Sequence, residues 1–410
     1  MNNVKNLFRT KDGKNYILPF ILVTSLFFLW GFAHSILDVL NKHFQESMSI
    51  SRTESALVQA VVYGGYFLMA IPAGKIISRF GYRVGVLTGL VLYGVGALLF
   101  IPGGQLLSFP FFLFSLFIIG CGLTCLETAA NPYVTVLGSS ESAERRINLS
   151  QSFNGLGWIL GPFVGGYFIF SGDGDGSISK PYAIIGVVVL CVACAFSFVK
   201  LPDVTNNDSN QCNSFQTSQN VSPLRQKKFL IGLFSLFLYV AAQTGINSFF
   251  INYVTENAAI SNSEASMLLS FGGMGLFMLG RIAGSVVMAR IRPEHVLFAC
   301  AIGATFAMSV LLTGAGMLGV VAFFLCYLCE SIMFPTIFSL SLREAGSNKA
   351  KASSYLVMSI VGGAIAPLAM GAIADNISMS IAFVVPLVCF VEIAVFAFVA
   401  GKQSFASERQ

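Results

Sequence analysis

Charged side chains are scarce in this chain of 410 residues, at 10% of the sequence against about 25% in a typical soluble domain. Histidine and tryptophan are also rare, with three and two copies, whereas hydrophobic residues make up 55%. So little charge excludes an ordinary soluble domain. The basic residues are spread along the chain without forming a patch, which argues against a nucleic-acid partner despite the net charge of +5.

Long polar domains are lacking too, and apolar runs of about 20 residues recur instead, each long enough to cross a bilayer as a helix. The short alternating segments of a membrane barrel are absent. We therefore predict an all-α membrane protein with twelve transmembrane helices in a lipid bilayer. The predicted spans are 16–41, 54–78, 82–102, 106–138, 147–171, 181–200, 229–254, 263–289, 294–313, 316–343, 351–374 and 380–401.

No residue pattern predicts an enzyme, a cofactor or a metal site. The nine cysteines form no disulfide framework, and no paired Cys/His set completes the Cys-x-x-Cys spacings at 191–194 and 326–329. We interpret these cysteines as small apolar fillers of helix interfaces. No Ser/His/Asp set or phosphate-binding loop is present in the sequence.

The Lys and Arg residues predict the topology. With both termini in the cytoplasm, the outside loops contain only Lys42, Arg52 and Lys180 of the 24 basic residues. This asymmetry follows the positive-inside rule and supports the helix count. We expect a multi-pass protein of a bacterial inner membrane.

The chain divides into a six-helix half at 1–200, a cytoplasmic linker at 201–228 and a second half at 229–410. The linker is rich in Asn, Ser and Gln. Glu127 and Glu330 occupy matching positions, each five residues before a proline and a basic loop. Such repeats, with a site between them, are the plan of the major facilitator fold.

Two carboxylates, Asp38 and Glu127, lie inside apolar runs, where insertion costs about 2.5–3.5 kcal/mol each. A carboxylate that has lost its water holds a proton more tightly and can release it when water returns. Both are therefore candidates for proton coupling. The alternative is a carboxylate hydrogen-bonded for packing, and Asp38 could also be interfacial. Glu330 and Glu392 are further candidates.

Other polar residues within the predicted helices follow helical spacing and predict a polar cavity, because lipid cannot satisfy them. Carboxamides and carboxylates suit a neutral, hydroxyl-rich solute, and helix centres without clustered Arg or Lys argue against phosphorylated cargo. His34 could share a proton with Asp38 or only donate a hydrogen bond. The substrate-binding candidates are Asp38, Gln151, Asn154, Asn131, His34, Gln243 and Asn247.

The loop after the second predicted helix carries Gly74, Lys75, Arg79 and Arg83. We expect these cations to hold helix ends and acidic groups in one conformational state, unless they serve only as positive-inside anchors. Glycines at 155, 157, 161, 165 and 166 predict close helix packing in the fifth helix.

Several segments carry a resemblance to a known family. They are Phe27-Phe-Leu-Trp-Gly with Asp38, Cys125-Leu-Glu-Thr-Ala-Ala-Asn-Pro-Tyr-Val-Thr-Val-Leu-Gly138, Asn148-Leu-Ser-Gln-Ser-Phe-Asn154 and Phe334-Pro-Thr-Ile-Phe-Ser-Leu340. The chain resembles the fucose/proton symporter family of the major facilitator superfamily, which also covers glucose and galactose transporters. The resemblance implies that Asp38 acts in sugar binding and coupling, that Glu127 is the protonation site and that Gln151 faces the sugar.

The predicted function is import of a neutral monosaccharide, L-fucose before others, with a proton. Within the same class, glucose, galactose or an amino sugar could be the cargo and sodium the coupling ion. A non-transporting sugar sensor or a membrane enzyme belongs to other classes, and the signalling domain or catalytic set that each would need is missing. We expect a functional monomer.

Overall fold

A computed structural model of the chain describes residues 17–137, 143–170, 178–198, 224, 226–288, 290–343 and 349–407. Within them, twelve helical segments are long and apolar enough to cross a membrane, and no strand occurs. In chain order the helices are α1 (Ile17–Met48), α2 (Arg52–Ser55 and Leu57–Phe80), α3 (Tyr82–Leu98 and Phe100–Leu106), α4 (Phe109–Val136), α5 (Ala143–Phe170), α6 (Ser179–Phe198), α7 (Lys227–Asn257), α8 (Asn262–Met288), α9 (Pro293–Leu311), α10 (Gly316–Arg343), α11 (Lys349–Met358 and Gly362–Asn376) and α12 (Met379–Ala382 and Val384–Ser407). The predicted twelve-span all-α protein is confirmed.

The helices pack into two compact units. The first unit takes the described residues of Met1–Ile36 and Gly64–Thr217, and the second takes those of Leu37–Tyr63 and Ser218–Gln410. The end of α1 and the beginning of α2 therefore pack with helices from the C-terminal part of the chain. The predicted linker 201–228 lies almost entirely outside the described residues, so the three-part division of the chain stays a prediction.

α1 extends beyond its predicted end at residue 41 and continues to Met48. Polar contacts within the second unit explain this extension. The Asn41 amide donates to the Ser248 carbonyl at 2.7 Å, and the Asn252 amide donates to the Gln45 side chain. The length of an apolar run therefore underestimates the length of a helix whose polar end is hydrogen-bonded to other parts of the protein.

Several spans contain local interruptions. α2 opens with a short turn, Arg52–Ser55, which Ser51 and Glu54 close as a capping box before the helix continues as Leu57–Phe80. α8 contains a π-helical stretch at Leu268–Met274, and a 3-10 turn at Ser359–Val361 lies in α11. Such irregular turns are frequent at functional sites and hinges, but apolar periodicity does not predict them.

The break in α10 has a specific cause. The helix runs as Gly316–Glu330 and resumes as Met333–Arg343. Pro335 has no N–H, so the carbonyl of Ser331, four residues earlier, loses its helical partner. Arg281 Nε donates to that carbonyl at 3.3 Å instead, and the Tyr239 hydroxyl donates to the neighbouring Glu330 carbonyl at 3.0 Å. Neighbouring helices thus satisfy the backbone that the proline releases.

Candidate functional site

Glu127 lies in α4 and is half-buried within the first unit. Its carboxylate shares a hydrogen bond with the hydroxyl of Tyr66 in α2. Tyr66 was not among the predicted site residues, because a tyrosine in an apolar run resembles an ordinary membrane aromatic. The contact identifies it as the immediate partner of the predicted proton carrier.

Tyr66 has a second titratable neighbour. Its hydroxyl lies 2.9 Å from Nε2 of His34 in α1. The imidazole stacks on Trp158 with ring centres 6.0 Å apart and meets the edge of Trp30 at 6.2 Å. His34 is only 8% exposed, so the two indole rings fix the orientation of its ring. The structure therefore brings together two predicted residues, His34 and Glu127, through one that sequence reasoning missed.

The other candidates of the first unit have different surroundings. Asn154 in α5 is buried, and its amide donates to the Phe27 carbonyl of α1 at 3.0 Å, a contact that joins the two helices. Gln151 is half-buried one turn earlier. Asn131, in the last third of α4, buries its side-chain oxygen without a hydrogen-bond partner among the described residues. A role of all three in sugar binding stays a prediction.

Asp38 belongs to the second unit and is 2% exposed. One carboxylate oxygen accepts a hydrogen bond from the amide of Gln59 in α2 at 2.9 Å, and the other has no partner among the described residues. A buried carboxylate with half its hydrogen-bonding capacity unused suits a group that exchanges partners during function. Gln59 is a second residue that sequence reasoning missed, although its polarity within the apolar run 54–78 was a usable signal.

Helices α7 and α10 supply further polar groups to the second unit. Asn247 is 3% exposed and buries an amide oxygen without a described partner, while Gln243 is half-buried. Glu330 is fully buried and lies 3.5 Å from the Cys326 sulfur through one carboxylate oxygen. The Tyr327 hydroxyl is likewise buried without a hydrogen-bond partner among the described residues.

A polar cluster at the start of α2 was not predicted. The Asp375 carboxylate, at the end of α11, accepts from the backbone N–H of Arg52 at 3.0 Å and from that of Thr53 at 2.8 Å, and also from the Thr53 hydroxyl at 2.7 Å. The Arg52 guanidinium pairs with Glu256 of α7 and donates to the Ala374 carbonyl at 2.7 Å. This cluster ties the first turn of α2 to α7 and α11.

The residues predicted to form a conformational loop lie almost entirely within helices, so the prediction of a loop is wrong. Gly74, Lys75 and Arg79 belong to the last turns of α2 and Arg83 to the first turn of α3, with only Gly81 between the two helices. Gly81 has a φ of 85°, which favours glycine, and Gly74 is half-buried within the preceding helix. The Arg83 guanidinium donates to the Ser197 carbonyl at the end of α6, while Arg79 lies over the Phe80 ring and, like Lys75, is exposed. Arg83 therefore binds a helix C-terminus, as expected, whereas the conformational role of these residues stays a prediction.

These features define a class of protein. Among the carboxylates inside the twelve apolar spans, the buried Asp38 is bonded by an amide and the half-buried Glu127 by a hydroxyl. Such groups inside a membrane are typical of a polytopic transporter that moves ions or polar solutes. Residues 21–359 match the family model described as Major Facilitator Superfamily, and the chain belongs to that family. The predicted major facilitator fold is confirmed, and so is the prediction of a transporter and not an enzyme.

Relatives match nearly the whole chain. The L-fucose-proton symporter of Haemophilus influenzae is 36% identical over 95% of this chain and 98% of its own. The glucose/galactose transporter of Brucella abortus biovar 1 is 33% identical over 96% of each chain. The crystal structure of the transporter FucP in its outward conformation has a TM-score of 0.67 and 34% identity, with 94% of this chain and 99% of that chain covered.

Proposed function

We propose that the chain is a symporter that imports a neutral monosaccharide together with a proton by alternating access, with L-fucose as its preferred sugar. The observation that carries the proposal is the Glu127 carboxylate, placed in an apolar span and held by the Tyr66 hydroxyl. Relatives named for sugar–proton symport, similar over almost the whole length, support the same cargo.

The substrate roles belong to other polar groups. Asp38 contacts the sugar with its unpaired oxygen, and Asn247 of the same unit offers a second unpaired oxygen to a hydroxyl group. Sugar-binding roles of Gln151, Asn131 and Gln243 stay predictions. Buried polar atoms without protein partners support this assignment, since a sugar hydroxyl can satisfy them. The protein works as a monomer in the inner membrane, with both termini in the cytoplasm.

Import of glucose or galactose is the second candidate function, because a relative named for these sugars is also 33% identical over 96% of the chain. A transport assay separates the two. Proteoliposomes with an inward proton gradient are given labelled L-fucose, and unlabelled L-fucose, D-glucose and D-galactose compete. L-fucose should compete best. Stronger competition by glucose or galactose would reassign the cargo, and uptake that ignores the proton gradient but requires sodium would reassign the coupling ion.

Glu127→Gln tests the proton site directly. For each proton carried, one pH unit of gradient supports about tenfold accumulation, since it supplies about 1.4 kcal/mol. The variant should lose accumulation above equilibrium yet keep sugar-for-sugar exchange, because an amide neither binds nor releases the proton.

Glu392→Gln is the comparison variant, because Glu392 is a further candidate for the same role, and wild type is the reference. Glu392 is a half-buried carboxylate of α12, in the second unit, that accepts a hydrogen bond from the Ser235 hydroxyl at 2.9 Å. The Glu392→Gln variant should still accumulate sugar at the wild-type level, and loss of accumulation in it would make Glu392 a coupling residue. Accumulation by Glu127→Gln at the wild-type level would remove Glu127 from proton coupling.

A further inference from the structure

Tyr66 lies between two titratable groups from different helices. His34 of α1 approaches its hydroxyl with Nε2 at 2.9 Å, and Glu127 of α4 shares a hydrogen bond with the same hydroxyl. Tyr66 itself is 8% exposed. All three residues belong to the first unit, and together they form one continuous hydrogen-bonded chain from an imidazole through a phenol to a carboxylate.

A hydroxyl placed between two titratable groups can pass a proton from one to the other. A tyrosine hydroxyl has one hydrogen to donate, and it can accept a hydrogen at the same time. It can therefore take a proton from one neighbour while giving its own to the other. Imidazole is well suited to the first position, because its ring nitrogen can hold a hydrogen that it donates or accept one from the hydroxyl.

The surroundings of His34 hold this geometry. The ring stacks on Trp158 with an interplanar angle of 16°, and Trp30 meets it nearly perpendicularly at 79°. Packing against both indoles restricts rotation of the imidazole, so Nε2 stays directed at the Tyr66 oxygen. A histidine that only filled space would need no such alignment with a hydroxyl that also contacts a carboxylate.

We propose that Tyr66 relays the coupled proton between His34 and Glu127. His34 is then a second protonation site, in addition to Glu127. In the forward step the N–H bond at Nε2 of protonated His34 breaks and an O–H bond forms on Tyr66. The original Tyr66 O–H bond breaks as its hydrogen passes to the Glu127 carboxylate. One proton has moved, Tyr66 is unchanged, and the charged pair has become a neutral His34 and a neutral Glu127. This inference rests on the proposed proton symport.

The test uses purified full-length protein in proteoliposomes and compares two rates. One is sugar-driven proton uptake, followed by a pH-sensitive dye, and the other is sugar-for-sugar exchange. Tyr66→Phe keeps the ring and removes the hydroxyl. We expect it to slow proton uptake roughly tenfold to hundredfold, as for loss of a hydrogen bond to a charged group, while exchange stays within about twofold. A purely structural role would lower both rates together.

Tyr182→Phe is the matched control. Tyr182 of α6 is also buried in the first unit, and its hydroxyl has no hydrogen-bond partner among the described residues. Wild type and this control should take up protons equally fast. Absence of sugar-driven proton uptake in both would refute the proposed symport itself, an outcome distinct from failure of the relay.

His34→Gln provides a second, independent arm. The amide can still bond the Tyr66 hydroxyl but has no titratable nitrogen, so proton uptake should fall by a larger factor than sugar-for-sugar exchange does. If Tyr66→Phe does not fold, the His34→Gln variant tests the proton relay by itself. The relay is overturned if either folded variant retains wild-type proton uptake within about twofold, or if its exchange falls as much as its proton uptake.

Discussion

Gly157→Ala is the substitution for which the structure predicts the clearest loss of stability. Gly157 lies where α5 crosses α1, and a methyl group there would come 2.7 Å from the Phe32 backbone nitrogen and closer still to the Phe28 carbonyl oxygen. Real Cβ atoms do not approach heavy atoms this closely, and both neighbours are backbone atoms that cannot rotate away. The two helices must therefore move apart for the variant to fold.

The magnitude follows from a comparison with Gly64→Ala. Overpacking a close contact costs about 1–3 kcal/mol, whereas alanine gains up to about 1 kcal/mol over glycine through helix propensity. Gly64 is helical, and a methyl group there has no heavy atom within 4 Å. Because the propensity gain is common to both variants, their difference isolates the steric cost, which we expect to be about 1–3 kcal/mol.

Thermal unfolding of the purified proteins in one detergent measures this difference. Gly157→Ala should unfold at a lower temperature than wild type, and Gly64→Ala at the same or a higher temperature. Sugar transport should also fall in Gly157→Ala, because the next residue, Trp158, stacks on His34. Equal stability of the two variants would refute the conclusion that backbone contact at Gly157 joins α1 and α5.

Two further predictions concern turns at helix ends. Asp375→Asn weakens the acceptor for the first N–H groups of α2, so it should lower the free energy of unfolding by about 1 kcal/mol, as a lost helix cap does. In a double-mutant cycle with Thr53→Val the two substitutions should be coupled, and strict additivity would contradict the contact. Gly81→Ala has open space for its methyl group but keeps a φ of 85° and a ψ of 168°, a region that favours glycine, so it should cost about 1–3 kcal/mol through backbone strain alone. Unchanged thermal unfolding would contradict that account.

Sequence reasoning found the spans and the helix-packing glycines because both depend on local composition. A helix that crosses lipid must be apolar over about 20 residues, and a close helix crossing requires residues without side chains. The prediction that fifth-helix glycines permit close approach is confirmed at Gly157 and at Gly161, whose added methyl group would meet Ser35 of α1. Both requirements can therefore be recognised from the local sequence alone.

The partners of the site residues depend on which helices become neighbours, and spacing along the chain does not contain that information. His34 and Asp38 are four residues apart on α1, yet each has its own hydrogen-bond partner, Tyr66 for His34 and Gln59 for Asp38. Both partners come from α2, one from each compact unit. Helical periodicity places side chains on a common face but does not show what stands opposite.

The contacts of Tyr66 also bear on why a carboxylate can remain inside the membrane. An ionised Glu127 takes the single hydrogen of the Tyr66 hydroxyl, so His34 must then donate to Tyr66 through its Nε2 hydrogen. A protonated Glu127 can itself donate, which leaves the Tyr66 hydrogen for a neutral Nε2 on His34. Either state of Glu127 thus retains a hydrogen-bonded partner without movement of the backbone, in surroundings of low dielectric where an unpaired polar group is costly. A transporter that must carry Glu127 both with and without its proton needs a neighbour with this versatility, and a phenol paired with an imidazole supplies it.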